Sequence, residues 1–223
     1  MTNKRFELLN NDGIPSWLEE FYNKFLPDSG LFVEVGIGHT IDRHWTKKKT
    51  LDSLARGTPV TQRCGSNTLD LLEYDFSGIY IDPVEEFCDE ARLITAGKNV
   101  KILNFGCSDK EETLNLYGGE TFIENPHITW PGGVNYIGRQ VLSRTLSSIL
   151  EDEAHKEPVV LMSIDVEGWE MKVLKGIKEK HMPKIMIIEI DKSVGVHNEM
   201  LRRGYTLCYQ DSRDAAYVKK EGN

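Results

Sequence analysis

The stretch Leu-Phe-Val-Glu-Val-Gly-Ile-Gly at residues 31–38 decides the fold, because an apolar run here leads directly into two closely spaced glycines. An apolar run without strict alternation is typical of a strand that is buried on both faces of a parallel sheet. Glycines at the carboxyl end of such a strand let the backbone approach a nucleotide-like ligand closely. The stretch therefore predicts the first strand of a ligand-binding α/β sheet, with a tight turn that binds no ligand as the alternative.

Further apolar runs follow along the chain, at 79–81, 100–105, 159–164 and 184–190. Helical patterns separate these runs, at 68–76, 84–94, 145–153 and 169–177. Strands that alternate with helices predict a doubly wound α/β domain. Near the C-terminus, residues 205–209 and 216–219 flank a polar turn, which predicts an antiparallel hairpin at one edge of the sheet.

The chain length of 223 residues favours one large domain, over residues 1–223, rather than two complete ones. Apolar residues at spacings of three and four predict an amphipathic N-terminal helix at about 14–26. Two long irregular segments, at about 39–67 and 118–143, interrupt the alternation of strands and helices. Long irregular segments in compact domains are often functional lids, and we expect both to be loop insertions.

The amino-acid composition limits the cellular compartment and the classes of binding partner that we expect for the protein. The 35 acidic and 27 basic residues leave a net charge of −8, which disfavours nucleic acid and anionic membranes as partners. No apolar run is long enough to span a membrane, and no signal peptide is visible. The cysteines are scattered without metal-ligand spacing, which predicts reduced thiols in a cytoplasmic protein.

The first glycine turn does not fit a dinucleotide cofactor. The sequence fingerprint of dinucleotide-binding proteins requires a third glycine at the position where Ile41 stands. It also requires an acidic residue for the ribose about 20 residues further on, whereas Asp82 lies 44 residues after Gly38. Asp82 ends the second predicted strand, and one carboxylate can accept hydrogen bonds from both hydroxyls of a ribose. Glu34, beside the glycine turn, suits a cationic ligand. S-adenosylmethionine has both a ribose and a sulfonium, while the alternative for Asp82 is a cap on the following helix.

Residues 163–176 read Ser-Ile-Asp-Val-Glu-Gly-Trp-Glu-Met-Lys-Val-Leu-Lys-Gly. This segment resembles the signature of the FkbM family of S-adenosylmethionine-dependent methyltransferases, in which an Ile-Asp-Val-Glu-Gly core leads into a helix that ends in Leu-Lys-Gly. Residues 32–38 look like the first methyltransferase motif, and residues 79–83 look like the ribose-acid motif. Residues 104–109 are similar to the loop near the adenine, and the resemblance extends over about residues 31–208.

The resemblance implies a Rossmann-like class I methyltransferase fold, with a mostly parallel seven-stranded sheet that ends in the antiparallel hairpin. It also implies S-adenosylmethionine as the cofactor. The residues that it places at the cofactor are Glu34, Gly36, Gly38, Asp82, Cys107, Ser108 and Asp165.

One departure from the family pattern concerns the segment after the glycine turn. The family passes from this turn directly into a helix, whereas residues 39–67 intervene here. Asn67 and Thr68, at the start of the next helical pattern, are expected to replace the missing cofactor contacts, since such residues cap helix N-termini. The basic residues of this segment either form a solvated surface or attract a negatively charged substrate.

Methyl transfer to a hydroxyl calls for a general base, or for a metal that lowers the pKa of the hydroxyl. Asp165 and Glu189 end neighbouring predicted strands, and Glu167 follows Asp165 by two residues. These carboxylates are candidates for the base or for ligands of a divalent metal, and Glu167 alternatively caps the next helix. His39, beside the glycine turn, is a further candidate base, with an inert exposed histidine as the alternative.

The acceptor is less defined than the cofactor. Aromatic rings interleave with polar groups in residues 118–143, which suits the stacking of a sugar or, alternatively, a packed excursion over the sheet edge. The resemblance implies O-methylation of a sugar or another small polar metabolite. N-methylation, or a non-catalytic binding module with the same fold, are the alternatives, and the oligomeric state is left open.

Overall fold

The structure is a computed structural model that describes residues 4–8, 14–38, 40, 66–117, 122–123, 136–153 and 157–220. Its strands are β1 (Ser29–Val35), β2 (Asp75–Asp82), β3 (Val100–Asn104), β4 (Gly106–Cys107), β5 (Glu112–Tyr117), β6 (Phe122–Ile123), β7 (Tyr136–Arg144), β8 (Val159–Ile164), β9 (Ile185–Glu189), β10 (Tyr205–Gln210) and β11 (Asp214–Lys219). Its α-helices are α1 (Leu18–Phe25), α2 (Glu85–Ile94), α3 (Leu146–Asp152), α4 (Glu170–Lys175) and α5 (Val196–Arg202). Short 3-10 helices span Leu69–Glu73 and Glu179–His181.

The main sheet has seven strands in the order β10-β11-β9-β8-β1-β2-β3. Neighbouring strands are parallel except at β11, which runs antiparallel to both β9 and β10. The predicted α/β fold, with a mostly parallel seven-stranded sheet that ends in an antiparallel hairpin, is therefore confirmed. The strand order reverses at β1, whose neighbours are β2 and β8. Ligands of open α/β sheets bind in the crevice beyond the carboxyl ends of the strands at such a reversal.

The central strands are apolar throughout because both faces of the sheet are covered. On one face, Val33 and Val35 of β1 join a core with Leu174 of α4. On the other face, Phe32 packs in a second core with Phe21 of α1. Continuous apolar runs therefore form buried strands here, as expected for a parallel sheet with helices on both sides.

Two local expectations differ from the structure. Residues 68–76 were expected to be helical, but only Leu69–Glu73 form a 3-10 helix, because β2 already begins at Asp75 and pairs with β1 from there. Residues 136–143, expected within the second loop, belong to β7, which pairs with β5 in a second sheet of order β4-β7-β5-β6. Buried Val141 next to exposed Leu142 gives β7 the alternation of a strand with one solvent face.

Several expectations lie outside the described residues. They include the first loop between 41 and 65, and residues 118–121 and 124–135 of the second. The helix expected at about 14–26 spans Leu18–Phe25, and the assignment of residues 1–223 to one domain stays a prediction. Among the described helices, none has the length and apolar character that crossing a membrane requires.

Candidate active site

A row of carboxylates crosses the carboxyl edge of the main sheet. The strands β2, β1, β8 and β9 are neighbours, and their last paired residues lie side by side. The next residue of each strand in turn is Asp82, Gly36, Asp165 and Glu189, and these four form the row. β11 extends the row, since Asp214 pairs with Glu189. Gly36 has no side chain, so the row has a gap at the end of β1, where the order of the strands reverses.

The two glycines after β1 serve different purposes. Gly36 has φ +82°, and a Cβ there would lie 1.7 Å from the backbone oxygen of Asp165. Gly36 is therefore required for the packing of β1 against the end of β8. Gly38 has φ +55°, and no atom of the described residues would lie within 4 Å of a Cβ there. The second glycine thus borders open space, where a ligand can approach the backbone closely.

Asp82 connects this turn to the end of β2. Its Oδ2 accepts a hydrogen bond from the backbone N–H of Gly38 at 3.1 Å, and its Oδ1 accepts one from Val84 at 2.8 Å. The second hydrogen bond fixes the segment that leads into α2, which agrees with the alternative that Asp82 caps this helix. Each carboxylate oxygen has a further lone pair, so both roles are compatible with binding a ribose.

Glu34 is buried and fastens residues 66–68 to β1. Its carboxylate accepts hydrogen bonds from the Ser66 hydroxyl at 2.7 Å, from the Asn67 backbone N–H at 3.0 Å and from the Thr68 hydroxyl. Burial raises the pKa of Glu34, and these hydrogen bonds oppose the rise. The structure thus shows Glu34 bound to the segment predicted to supply cofactor contacts. A direct contact between Glu34 and a cationic ligand stays a prediction.

In the described part of the chain, four buried side-chain atoms have no hydrogen-bond partner: Thr40 Oγ1, Asn67 Oδ1, Trp169 Nε1 and Glu189 Oε2. Thr40, Trp169 and Glu189 lie at or after the carboxyl ends of β1, β8 and β9. Asn67 adjoins β8 through a hydrogen bond of 3.0 Å that it donates to Ser163. Unpaired buried polar atoms are rare, and a ligand rich in donors and acceptors would satisfy them. The residues therefore fit a bound S-adenosylmethionine.

Cys107 and Ser108 are buried after β3, at the edge of the second sheet. Burial raises the pKa of the Cys107 thiol to about 12, so this thiol stays protonated at neutral pH. The backbone oxygen of Ser108 lies 2.3 Å from the position of a Cβ at Gly176, so this segment packs closely against the end of α4. Their contacts with an adenine stay a prediction.

The structure brings together three of the four predicted catalytic residues. Asp165, Glu167 and Glu189 each offer a carboxylate oxygen, and these oxygens lie within 4.8 Å of one another. The side chain of Glu189 is 0% exposed, whereas that of Asp165 is 27% exposed. The fourth predicted residue, His39, lies outside the described residues.

Two cations that the sequence reasoning missed complete this cluster. The Lys192 ammonium forms an ion pair with Glu167 and lies 3.2 Å from Glu189 Oε1. A guanidinium nitrogen of Arg213 lies 3.4 Å from the same Glu189 oxygen and 3.8 Å from Asp165. Lys192 follows Glu189 by three residues, a spacing that could have indicated it. Arg213 lies in the turn between β10 and β11, and only the insertion of β11 beside β9 brings it here.

Burial and mutual repulsion shift the acidity of this cluster. Burial, followed by the charge of Glu189, raises the pKa of Asp165 well above its usual range. Burial, followed by the charge of Glu167, raises the pKa of Glu189 to about 7, although the Lys192 charge opposes the rise. Glu189 therefore exchanges a proton near neutral pH, the range where a general base works best, and Asp165 keeps its proton to a higher pH than an ordinary aspartate.

The alternative that Glu167 caps the following helix does not agree with the position of its side chain in the structure. The side chain forms an ion pair with Lys192, and the backbone of Glu167 has φ +56°. The buried Glu170 carboxylate instead accepts hydrogen bonds from the turn before α4, from Val166 at 3.1 Å and Gly168 at 3.0 Å.

Carboxylate oxygens are also the ligands that hard divalent cations prefer. The three carboxylates match that preference in type and spacing. Lys192, however, already contacts two of them, so a metal ion would have to displace its ammonium group.

The sheet order and the glycine turn after β1 agree with the fold of class I methyltransferases. Residues 58–207 match the family model described as the methyltransferase FkbM domain. The chain belongs to the FkbM methyltransferase family, and it is a methyltransferase whose methyl donor is S-adenosylmethionine. A comparison with curated proteins finds no match.

Solved structures with similar folds include other methyltransferases. M. capricolum TrmK, in complex with S-adenosylhomocysteine, has a TM-score of 0.42 and 11% identity, over 92% of this chain and 67% of that one. A proposed S-adenosylmethionine-dependent methyltransferase of Methanococcus maripaludis has a TM-score of 0.40 and 12% identity, over 92% and 84%. The CurJ carbon methyltransferase has a TM-score of 0.39 and 9% identity, over 88% and 50%. Identities this low carry no information about the acceptor.

Proposed function

We propose that this methyltransferase transfers a methyl group to a hydroxyl of a sugar or another small polar metabolite. The observation that supports this proposal is the buried Asp165–Glu189 pair, whose pKa values are raised and which lies across Gly36 from Asp82. A hydroxyl must lose its proton as its oxygen attacks, and this pair is a proton acceptor suited to neutral pH.

The two carboxyls of the pair have different parts in the proposal. S-adenosylmethionine, when bound, supplies an electrophilic methyl group activated by its sulfonium. Asp165, the more exposed of the two, accepts the hydroxyl proton of the acceptor. The fully buried Glu189 keeps the pKa of Asp165 high by its charge. Lys192 and Arg213 balance the charge that remains after proton transfer.

The acceptor in this proposal is small and polar, as a free metabolite or as part of a glycan, and an acceptor with a negative charge fits best. The Arg213 side chain is 49% exposed beside the carboxylate pair, so its guanidinium is open to an anionic group. The excess of basic residues between 39 and 63 supports the same preference. The net charge of −8 makes nucleic acid and anionic membranes unlikely partners by simple repulsion.

We place the enzyme in the cytoplasm. Cys88, Cys107 and Cys208 are free thiols in the described part of the chain. Burial raises the pKa of Cys88 to about 11, so this thiol is protonated and unreactive at neutral pH. Free cysteines without disulfide pairing are usual in a reducing compartment.

The experiment is a transfer assay with a radiolabelled methyl group on S-adenosylmethionine. The acceptor panel holds neutral sugars, sugar phosphates, nucleotide sugars and their amino-sugar counterparts, each with and without a chelator. We expect label on an oxygen, located by NMR of the product, and no effect of the chelator.

Three other outcomes of this assay would each contradict one part of the proposal. Label on nitrogen would favour N-methylation. Activity lost with the chelator and restored by Mg²⁺ would favour a metal held by the carboxylates in place of a general base. Binding of S-adenosylhomocysteine without transfer to any acceptor would favour a non-catalytic binding module.

A further inference from the structure

The turn between β8 and α4 has an unusual backbone. Glu167 has φ +56° and Gly168 has φ +93°, and among the described residues Glu167 is the only one other than glycine with a positive φ. A side chain in the left-handed region is disfavoured sterically, so such a residue persists where its surroundings hold it. Glu167 is also a member of the carboxylate cluster, which places the strained residue in the candidate site.

Glu170 provides the contacts that hold this turn. Its side chain is fully buried at the first position of α4, where the helix dipole favours a negative charge. One carboxylate oxygen accepts the hydrogen bonds from the backbone N–H groups of Val166 and Gly168, on both sides of Glu167. The other oxygen accepts a hydrogen bond from the Ser193 hydroxyl.

The bond to Ser193 connects the turn to a second part of the site. Ser193 directly follows Lys192, whose ammonium contacts both Glu167 and Glu189. One buried carboxylate thus joins the segment after β8 to the segment after β9. The first segment carries Asp165 and Glu167, and the second carries Lys192 three residues after Glu189, the last residue of β9.

We infer that Glu170 is a positioning residue for methyl transfer. It holds the side chains of Glu167 and Lys192 in fixed positions beside the Asp165–Glu189 pair. Glu170 takes no part in proton transfer, because its oxygens are engaged by three donors away from solvent. Its effect is on the alignment of the reacting groups, to which transfer rates are very sensitive. The rate measurement below rests on the proposed function, whereas the structural measurement does not.

Three variants and a control test the inference. Glu170→Ala removes the acceptor, Ser193→Ala removes the connection to Lys192, and Glu170→Gln keeps an oxygen for the two N–H groups and an amide that can donate to Ser193. The control is Glu199→Gln in α5, which weakens ion pairs with Arg202 and Arg203.

The first measurement needs no acceptor and compares crystal structures of the wild type and Glu170→Ala with S-adenosylhomocysteine. We expect Glu167 to leave the left-handed region and its ion pair with Lys192 to break, while Gly36 stays in place. An unchanged turn would overturn the inference, whatever the outcome for the proposed function.

The second measurement uses the best acceptor of the hydroxyl panel. We expect Glu170→Ala to lower kcat by about 10- to 100-fold, with the KM for S-adenosylmethionine within about 3-fold. Glu170→Gln should restore most of kcat, Ser193→Ala should lower it by a smaller factor, and Glu199→Gln should lower only the melting temperature. A Glu170→Ala variant that loses stability but keeps kcat would overturn the inference. If that variant does not fold, an unchanged kcat in Ser193→Ala would overturn it. A wild type without hydroxyl transfer would overturn the proposed function, and the crystal structures would still decide the role of Glu170.

Discussion

Asp165 and Glu189 are two acidic side chains at adjacent strand ends, and their environment rather than their identity sets their chemistry. Both have raised pKa values, because burial disfavours their charged forms, and because the charge of Glu189 acts on Asp165 and the charge of Glu167 acts on Glu189. The sequence predicted both residues, since each directly follows or ends an apolar run. It could not predict which carboxyl would be more exposed, because exposure depends on α-helical and loop segments that pack over the strand ends.

The first prediction concerns Asp165→Asn. This change keeps the size of the side chain but removes its capacity to accept the proton, so kcat should fall by about 10²- to 10⁴-fold. The affinity for S-adenosylhomocysteine, measured by calorimetry, should stay within a few-fold. Asp75→Asn is the matched control, since Asp75 is an exposed residue at the start of β2, at the opposite end of the strand from Asp82, and it should leave kcat unchanged. A folded Asp165→Asn variant with full activity would refute the assignment of the base.

The second prediction concerns pH and Glu189→Gln. Activity of the wild type should rise with pH as Asp165 loses its proton, at a pH well above the usual range of an aspartate, because burial and the charge of Glu189 raise its pKa. Without the Glu189 charge, the pKa of Asp165 falls, so the rising limb of kcat/KM should move to lower pH. A pH profile between 5 and 9 measures the shift. An identical limb in both proteins would show that the pair does not control the rate.

The same raised pKa predicts how stability depends on pH. The folded state binds the Glu189 proton more tightly than the unfolded state, so this contribution is complete below about pH 4.3 and is lost as pH rises through about 7. The loss amounts to roughly 4 kcal/mol. Urea unfolding at a series of pH values should show a smaller decline for Glu189→Gln than for the wild type. Parallel curves would contradict the prediction.

Among the secondary-structure elements, the turn after β1 shows which features can be predicted from neighbouring residues in the sequence and which cannot. The apolar run before Gly36 predicted a buried strand, and the glycine pair predicted a turn that approaches a ligand. Only the structure separates the two glycines by role, because the contact of Gly36 comes from Asp165, which is distant in sequence. The second sheet was missed for a similar reason, since β5 and β7 pair across a long intervening segment.

The fourth prediction compares Gly36→Ala with Gly38→Ala. Gly36→Ala should not fold to the native state, because its Cβ would lie 1.7 Å from a backbone oxygen. Gly38→Ala has room for its Cβ, so its cost is the left-handed conformation, about 1–2 kcal/mol. It should fold and yet bind S-adenosylhomocysteine more weakly, because the methyl group enters the space expected for the cofactor. Unfolding curves and calorimetry measure both effects, and unchanged affinity in Gly38→Ala would place the cofactor elsewhere.

For the whole molecule, alternating apolar runs and the segment at 163–176 were sufficient to predict the sheet, the hairpin and the family. The insertion of β11 between β9 and β10 was not predictable from such runs, and this insertion brings Arg213 to the carboxylates. The position of Arg213 therefore emerged only from the fold, whereas the spacing of Lys192 three residues after Glu189 was visible in the sequence. The acidic residues were visible earlier because they lie at the ends of strands.

The central claim is that the crevice at the end of β1 binds S-adenosylmethionine, and calorimetric titration of the wild-type protein with S-adenosylhomocysteine tests it most directly. We predict saturable binding at one site per chain, weakened by Gly38→Ala. The absence of binding to the folded wild-type protein would contradict the account.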